Sequence, residues 1–410
     1  VSGLAERALT RIHGHSIGAA RQDLNEIRFF EARVLFLLTS LCPEVRIRIR
    51  FRMNAVSMLN SVLLGSFRQL SYSATNFEEE CNQFRCEVLK ILFNITINVR
   101  STCDQCDEKD SSDLLNLTST LNRMICTSEE REEDSDDLTK HIINLLVNVP
   151  CQCYSVLRDN WPAYKSANKE CPQHPVLVYK LVSYMKKNIL KHESDETKLS
   201  ESCGPVLQVL IMFATKDSYL RKLLKQLILP KLTEEDLRRD PREGQTLRNL
   251  LIRMMTNTDS KIQTLSAALL FAICHHNVSK FVKYTGFGNA AGLLANLGLL
   301  LMVDTHGTKH QSKRQGSNSD SASESENDAY DSLNVNPITG KAHDNQEVCE
   351  DTRTEEQKEH DAMELVNVLD KMQRTCVIRP AKIGPDGRLI PVEHILELQN
   401  SDNSGVLKND

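Results

Sequence analysis

The sequence predicts an all-α protein: an armadillo/HEAT-like α-solenoid superhelix with a partly disordered C-terminal tail that contains one or two extra helices. Three observations lead to this prediction. Segment after segment places apolar residues, mostly leucine, at the 3.6-residue spacing of a helix, while strand signals are nearly absent. The apolar segments recur, and the 16 glycines and 12 prolines fall mostly between them. After about residue 302 this periodicity ends, and small polar and acidic residues dominate.

Five apolar segments carry the repeat. They are RVLFLLTSL (33–41), VLKILFNITI (88–97), HIINLLVNV (141–149), VLQVLIMFA (206–214) and SAALLFAIC (266–274). Their central residues, Leu35, Leu92, Leu146, Ile211 and Leu270, are separated by 57, 54, 65 and 59 residues. Armadillo and HEAT repeats span about 40–47 residues, and polar insertions such as 103–112 and 127–137 account for the excess. Helices this apolar must be packed between neighbours, which favours a solenoid over the alternative of a compact helical bundle.

Composition divides the chain into four parts. These are a helical repeat domain (1–303), an acidic Ser-rich disordered linker (304–353), a C-terminal helix and extended segment (354–398) and a disordered tail (399–410). Thr354 and Gln357 form a capping box that starts the C-terminal helix. The apolar stripe of that helix needs a surface to pack on, either the solenoid or a binding partner. Because the chain begins with Val1 rather than Met, we expect its natural start to lie upstream.

Charge and cysteine usage exclude several classes of protein. The net charge of −5 argues against a nucleic-acid binder. No apolar run reaches the roughly 18 residues of a membrane span, and the first residues lack a signal-peptide pattern. The thirteen cysteines are scattered singly, as in reduced cytoplasmic proteins. We therefore expect a cytoplasmic chain in which the sequons at Asn94, Asn116 and Asn277 are unused.

Motifs that resemble catalytic or cofactor sites have better structural explanations. CDQC (103–106) lacks a second cysteine pair at zinc-ligand distance, and CQC (151–153) has the wrong spacing. GFGNAAG (286–292) follows a helix rather than a strand, so its glycines predict a turn between helices rather than a phosphate loop. His275 and His276 end an apolar helix and predict a C-terminal cap. We expect no catalytic residue, metal or cofactor.

Two asparagines stand out within the apolar helices. Asn94 and Asn148 occupy equivalent positions in their repeats, and a buried amide needs hydrogen-bond partners. They can either bind the backbone of a docked segment or bond to an adjacent helix end or loop carbonyl. Nearby aromatic residues would supply apolar anchors for a docked helix, or belong to the core. These are Phe29, Phe30, Phe36 and Phe93.

Several stretches together resemble one known family. They are IRFFEARVLFLL (27–38), EVLKILFNIT (87–96), FVKYTGFGNAAGLLANLGLL (281–300), NVNPITGK (334–341) and TEEQKEHDAMELVNVLDKM (354–372). In this order they are similar to the synembryn family (resistance to inhibitors of cholinesterase). Its members are guanine-nucleotide exchange factors and folding chaperones for heterotrimeric G-protein α subunits. The resemblance covers nearly the whole chain, and 101–245 matches more loosely.

The resemblance implies a monomeric, non-catalytic protein of the cytoplasm and cell cortex that acts in G-protein coupled receptor signalling. It implies a superhelix whose concave face receives the C-terminal helix of Gα and stabilises nucleotide-free Gα, while the segment after the acidic stretch helps to hold the loosened GTPase domain. Four groove-lining positions carry over: Phe30, Phe36, Phe93 and Asn94. The repeat register adds Asn148. Ile97 stands where relatives carry a second aromatic residue.

The acidic linker predicts regulation by phosphorylation. Ser317, Ser321, Ser323 and Ser325 each have an acidic residue three positions later, the pattern of acid-directed (casein-kinase-type) kinases. Phosphorylation of the equivalent segment promotes activity in the family. Each phosphate adds roughly −1.5 to −2 charges and can pair with arginines. The candidate docking residues are Arg238, Arg239, Arg242, Arg248 and Arg253.

The main alternative function is a generic armadillo-repeat adaptor or an import-receptor-like protein that binds peptides. Import receptors use a ladder of tryptophans and asparagines. This chain has a single tryptophan, Trp161, outside the repeat helices, which favours the Gα hypothesis.

Overall fold

The predicted helices form and pack side by side in layers. In the computed structural model we describe residues 2–14, 22–69, 75–97, 108–127, 135–158, 175–257, 259–300, 335–336, 338–342, 354–374, 381–383 and 389–391. The chain divides into two compact units, residues 1–224 and 225–410. The border therefore lies inside the predicted repeat region rather than at its end.

The first unit contains nine α-helices and one 3₁₀ helix within its described residues. They are α1 (Ser2–Gly14), α2 (Gln22–Leu41), α3 (Pro43–Met53), α4 (Ala55–Gln69), α5 (Thr75–Thr96), α6 (Glu108–Thr127), α7 (Ser135–Leu146), the 3₁₀ helix (Cys151–Arg158), α8 (Val176–Lys191) and α9 (Glu196–Lys216). A further helix, α10 (Ser218–Ile228), crosses the border between the units.

Two rows of helices build the first unit. In the first row, α2 packs on α5, α5 on α7 and α7 on α9. In the second row, α4 packs on α6 and α6 on α8, and each of these helices also packs on the first-row helix that follows it. Four of the five predicted apolar segments lie in the first row, and the fifth lies in the second unit. The predicted all-α solenoid fold is confirmed.

The central residues of the repeats lie where the pattern places them. Leu35, Leu92, Leu146 and Leu270 are buried, whereas Ile211 is half-buried. Because each row helix contacts helices on several sides, its apolar surface is covered by neighbours rather than by one continuous central core.

The described part of the second unit contains five short helices and one helix of 20 residues. They are α11 (Glu234–Arg238), α12 (Leu247–Met255), α13 (Ser260–Ile273), α14 (Val278–Thr285), α15 (Phe287–Asn296) and, later, α16 (Glu355–Arg374). Side chains of Thr233, Thr246, Asp259 and Asn277 accept hydrogen bonds from the first turns of α11 to α14. The apolar helix α13 packs on α12, α14 and α15.

The C-terminal end of α13 is formed by His275 and His276. Both have left-handed backbones, with φ of 57° and 56°, and the amide of His276 donates to the Phe271 carbonyl at 3.0 Å. The His276 ring also packs edge-on against the Phe271 ring, with centroids 5.2 Å apart. The two histidines therefore terminate the helix, as predicted.

A β-hairpin follows the acidic stretch and binds the start of α15. Its strands, β1 (Val335–Asn336) and β2 (Lys341–Ala342), pair antiparallel. The Gly288 amide donates to the Ile338 carbonyl at 2.9 Å, and a Cβ on Gly286 would lie 2.9 Å from the Thr339 carbonyl oxygen. This part of the predicted disordered linker is ordered, which corrects the prediction for these residues.

The glycines of GFGNAAG have a structural role. Gly286 joins α14 to α15 with φ of 77°, so the motif forms the predicted turn between helices. The same glycine leaves room for the backbone of the hairpin, a contact that the sequence did not reveal.

The described C-terminal part contains α16 and a second hairpin. The amide of Thr354 donates to Gln357 Oε1 at 3.0 Å, and the amide of Gln357 donates to Thr354 Oγ1 at 3.3 Å, which confirms the predicted capping box. Strands β3 (Ala381–Ile383) and β4 (Leu389–Pro391) pair antiparallel within the segment predicted to be extended. The second of the one or two extra helices predicted for the tail does not occur in the described residues of this segment, and residues 392–398 lie outside them.

Among the described residues, no single helix is long and apolar enough to cross a membrane; only α13 and α14 taken together, which are bent by 118°, reach that length and apolarity.

Candidate partner-binding face

Helices α2, α5 and α7 lie side by side and present a common surface, which we call the α2–α5–α7 face. A groove of about 310 Å³ crosses it. Its walls come from all three helices: Phe29, Arg33, Glu79, Asn82, Gln83, Cys86, Glu87, Lys90, Asp137 and His141. Consecutive repeats thus bring together residues that are more than a hundred positions apart in the sequence.

An apolar stripe runs along the exposed side of α2. Its residues follow each other at intervals of three and four, and each is between 41% and 77% exposed. They are Ile27, Phe30, Val34, Leu37 and Leu41. This spacing is the contact pattern of a helix that packs along another helix, and contiguous exposed apolar surface marks binding sites. The stripe therefore suits an amphipathic helix of a partner.

The structure places the predicted aromatic residues on α2 and α5. Phe30 is part of the exposed stripe and packs edge-on against Phe29, with ring centroids 5.6 Å apart. Phe36 and Phe93 are half-buried, and the Lys90 ammonium nitrogen lies 5.6 Å from the Phe36 ring centroid. Contact of these residues with a partner stays a prediction.

Both predicted asparagines bond to neighbouring helices. The Asn94 amide nitrogen donates to the Thr39 hydroxyl at 3.1 Å, which links α5 to α2. The Asn148 amide nitrogen donates to the Phe93 carbonyl at 3.1 Å and to the Thr96 hydroxyl at 3.2 Å. This geometry is the packing alternative considered for both residues, and it commits amide protons that a docked segment would otherwise use.

A buried carboxylate organises the charges of the groove. Glu87 is 2% exposed, and its Oε1 accepts from the Arg33 guanidinium and from the Lys90 ammonium, the latter at 2.9 Å. Its Oε2 has no hydrogen-bond partner among the described residues. One carboxylate balances only one of the two positive charges. Glu87 therefore fixes the positions of Arg33 and Lys90 and leaves the cluster with a net positive charge.

Two titratable groups in the groove are held uncharged by their surroundings. Burial, reinforced by the positive charge of Lys90, lowers the pKa of His141 from 6.5 to about 4. Burial also raises the pKa of the Cys86 thiol to about 12. At neutral pH His141 is therefore a neutral imidazole and Cys86 an unreactive thiol.

The match to known proteins covers nearly the whole chain. Residues 2–388 match the family described as guanine nucleotide exchange factor synembryn (Ric8). The chain belongs to the synembryn family. The resemblance found in the sequence is thereby confirmed.

Curated relatives carry the name "Chaperone Ric-8A". The Xenopus tropicalis protein is 34% identical over 393 residues, which are 93% of this chain and 69% of that protein. The Danio rerio protein is 33% identical over 389 residues, covering 90% of this chain and 67% of the relative. The Bos taurus protein is 33% identical over 400 residues, covering 95% and 71%.

The arginines predicted to dock phosphate do not all lie on the surface of this synembryn. Arg248 is 5% exposed, and its guanidinium lies 3.8 Å from the Asp236 carboxylate. Burial lowers the pKa of Arg248. The sequence does not reveal this burial, because four of the neighbouring arginines on which the prediction rests are exposed or half-buried.

The remaining four arginines already have partners. Arg239 pairs with Glu235 at 2.6 Å and Arg242 with Asp240 at 2.9 Å, while Arg238 lies 3.8 Å from Glu234. The Arg253 guanidinium donates to the carbonyls of Arg242 and Gly244 at 3.0 and 2.8 Å. Arg238, Arg239 and Arg242 are exposed. The four predicted phosphorylation sites, Ser317, Ser321, Ser323 and Ser325, lie outside the described residues.

No group of three or more His, Cys, Asp or Glu side chains that could hold a metal ion occurs in the part of the chain that the structure describes. CDQC (103–106) lies outside that part, as does Trp161.

Proposed function

We propose that this synembryn is a guanine-nucleotide exchange factor and folding chaperone for heterotrimeric Gα subunits, and that it binds the C-terminal helix of Gα on the α2–α5–α7 face. The observation that carries the proposal is the exposed apolar stripe of α2. A helix laid along this stripe would cover its five apolar residues and bring polar side chains over the charged groove. Family membership supplies the partner, and the stripe supplies the surface.

The proposed mechanism contains no covalent step. The protein binds nucleotide-free Gα more tightly than GDP-bound Gα, so its binding shifts the equilibrium towards GDP release. GTP then favours the compact state of Gα, which dissociates from the complex. Only the difference between the two affinities drives exchange. No side chain of this chain is assigned a catalytic role.

The chaperone function follows from the same preference for nucleotide-free Gα. A protein that binds Gα with an open nucleotide site also stabilises Gα that has not finished folding. The C-terminal helix α16 supports a second contact, because Met363, Leu365 and Val368 expose apolar surface on it. We assign to this helix the task of holding the loosened GTPase domain.

Phosphorylation is proposed to set the position of the acidic segment. Phosphates on Ser317, Ser321, Ser323 and Ser325 would compete with the acidic partners of Arg238, Arg239 and Arg242, because a phosphate carries more charge than one carboxylate. An acid-directed kinase is the proposed modifying enzyme, and a monomer of the cytoplasm and cell cortex is the proposed state.

GDP release from purified Gα, measured with and without this protein, tests the exchange function. We expect acceleration by the natural chain. A double change, Phe30→Asp with Leu37→Asp, should reduce the acceleration at least tenfold, since apolar anchors at the centre of an interface contribute most of its binding energy. Ile47→Asp is the matched control, because Ile47 is equally exposed but lies on α3. Equal loss in the control and the double variant would contradict the assigned surface.

Two further measurements separate the alternatives. A Gα C-terminal peptide should bind this protein, whereas a basic import peptide should not; the reverse result would favour the adaptor hypothesis.

Replacing the four serines with alanine should abolish any effect of kinase treatment on exchange. Unchanged stimulation by the kinase in that variant would refute the regulatory role of the acidic segment.

A further inference from the structure

A second groove, of about 330 Å³, lies on the second row of helices between α4 and α6. We call it the α4–α6 groove. In contrast to the α2–α5–α7 face it is lined mainly by hydroxyl and amide side chains, among them Ser57, Asn60, Ser61 and Thr120. One acidic and one basic residue, Asp113 and Arg123, also line it. Their charges balance, so the groove selects neither for anions nor for cations.

Asn60 is the unusual residue of this groove. It is 7% exposed, and its Oδ1 has no hydrogen-bond partner among the described residues. A buried amide oxygen without a donor is destabilising, and nearly all such groups in proteins are paired. Its position in the lining of a groove indicates that a bound molecule supplies the missing donor.

The hydroxyl groups of the groove wall also present acceptors. The Ser61 hydroxyl donates its proton to the Met58 carbonyl at 2.7 Å, and the Thr120 hydroxyl donates to the Asn116 carbonyl at 3.0 Å. Each hydroxyl has one proton, so lone pairs are what these side chains can offer to a ligand. With Asn60 Oδ1 and the Asp113 carboxylate, the wall offers a set of oxygen acceptors. Arg123 and Asn116 add donors to the same lining, but the acceptor that lacks a partner is Asn60 Oδ1, so a matching ligand must present N–H or O–H donors on its side.

We propose that the α4–α6 groove binds the main-chain N–H groups of an extended, incompletely folded polypeptide. An extended chain presents N–H groups on each edge at intervals of about 7 Å, twice its rise per residue. The serine and threonine side chains of the wall are small, so a backbone can approach them closely. Main-chain recognition depends little on side chains, which suits a chaperone whose client exposes unpaired backbone before folding. The inference deepens the chaperone half of the proposed function, and the client is unfolded Gα.

The decisive experiment uses a fluorescent 12-residue Gly-Ser peptide as the probe, with binding measured by anisotropy. We expect the natural protein to bind it, and to bind at least tenfold more weakly the same peptide methylated on its main-chain nitrogens. Asn60→Leu should weaken binding of the unmethylated peptide at least tenfold while its Tm stays equal or rises, because the unpaired oxygen is removed. Ser111→Ala, an exposed change on α6 outside the groove, is the control and should bind as the natural protein does.

Three results would overturn the inference: no binding of the peptide, equal binding of the methylated peptide, or equal binding by Asn60→Leu. If Asn60→Leu has a raised Tm and any of these three results is also found, the Asn60 oxygen has no role in binding a peptide, and the groove holds solvent only. GDP release from folded Gα serves as the separate readout, and Asn60→Leu should accelerate it as the natural protein does. If the natural protein binds the peptide but leaves GDP release unchanged, the proposed exchange function fails while the inference stands.

Discussion

The two units of this chain differ in the contacts that stabilise each of them internally. In the first unit, polar side chains connect helices that are far apart in sequence: Arg50 of α3 bonds to Asp110 of α6, and Asn148 bonds to the end of α5. In the described part of the second unit, many polar contacts are local caps at helix starts, and one long-range contact is made by the backbone of the hairpin against Gly286.

The two kinds of contact make the units respond differently to substitutions. Repeats contact mainly their neighbours, so side-chain bonds that span two repeats make them fold as one cooperative body. A cap stabilises one helix, and a backbone contact depends on space rather than on side-chain chemistry. Substitutions in the first unit should therefore destabilise it by removing side-chain hydrogen bonds between helices. Substitutions in the second unit should destabilise it where an added side chain overlaps with a neighbouring backbone.

The largest effect is expected for Arg50→Ala. Arg50 is 7% exposed; it donates to Asp110 Oδ1 at 3.3 Å, to Asp110 Oδ2 at 2.6 Å and to the Ile95 carbonyl at 3.1 Å. Removing one partner of a buried pair destabilises by about 3–5 kcal/mol. Denaturant unfolding measures the loss. Arg239→Ala, which breaks an exposed pair, is the control and should change stability by about 0–1 kcal/mol; similar losses in both variants would contradict the comparison.

Gly286→Ala should have the next largest effect, and a local one. A Cβ there meets the Thr339 carbonyl oxygen at 2.9 Å, and φ of 77° is unfavourable for alanine. We expect a loss of about 1–3 kcal/mol and faster hydrogen exchange at the Gly288 amide, which is bonded to the hairpin. Gly292→Ala has open space around its Cβ and should stabilise α15 by up to about 1 kcal/mol. Unaltered exchange at Gly288 in Gly286→Ala would show that the hairpin tolerates the methyl group.

Asn148→Ala should cost about 1–2 kcal/mol, because the variant loses two hydrogen bonds to α5 at a half-buried position. A double-mutant cycle with Thr96→Val measures how much of this loss is coupling between the two helices. A coupling energy near zero would mean that Asn148 does not connect the repeats, and would favour its assignment as a partner contact.

The smallest effect concerns pH. His141 has a pKa of about 4 in the folded chain, below its ordinary 6.5, so the unfolded chain binds more protons between these values. Stability therefore falls as the pH is lowered from 6.5 towards 4, by about 1 kcal/mol once partial exposure is allowed for. His141→Gln should flatten this part of the stability–pH curve. An identical slope in the variant would assign the pH dependence to other groups.

The sequence predicted the helices of the first row and the apolar helix α13 well, because their apolar pattern extends over many residues. Leu35, Leu92, Leu146 and Leu270 are each surrounded by residues whose spacing alone indicates a buried helix. The capping box at Thr354 was equally visible, since a cap depends on residues three positions apart.

What the sequence did not reveal depends on contacts between distant segments. The hairpin contact joins Gly286 to Thr339, and no local pattern connects these positions. Arg248 was grouped with exposed arginines although it is buried against Asp236. The α4–α6 groove likewise arises only when the polar sides of two helices, separated by α5, come together. Ser57, Asn60 and Ser61 interrupt the apolar pattern of α4, and this interruption is the trace that the groove leaves in the sequence.

The hairpin at Gly286 also determines the connectivity of the second unit. Residues 301–334 start just after α15 and end at β1, and β1–β2 is bound back to the start of α15. The two described elements on either side of the acidic segment, α15 and the hairpin, are thus bonded to each other. A protease that cuts the chain once between α15 and β1 would not release the hairpin, because its backbone contacts would still hold it to the start of α15. Two fragments would migrate separately under denaturing conditions and together under native ones.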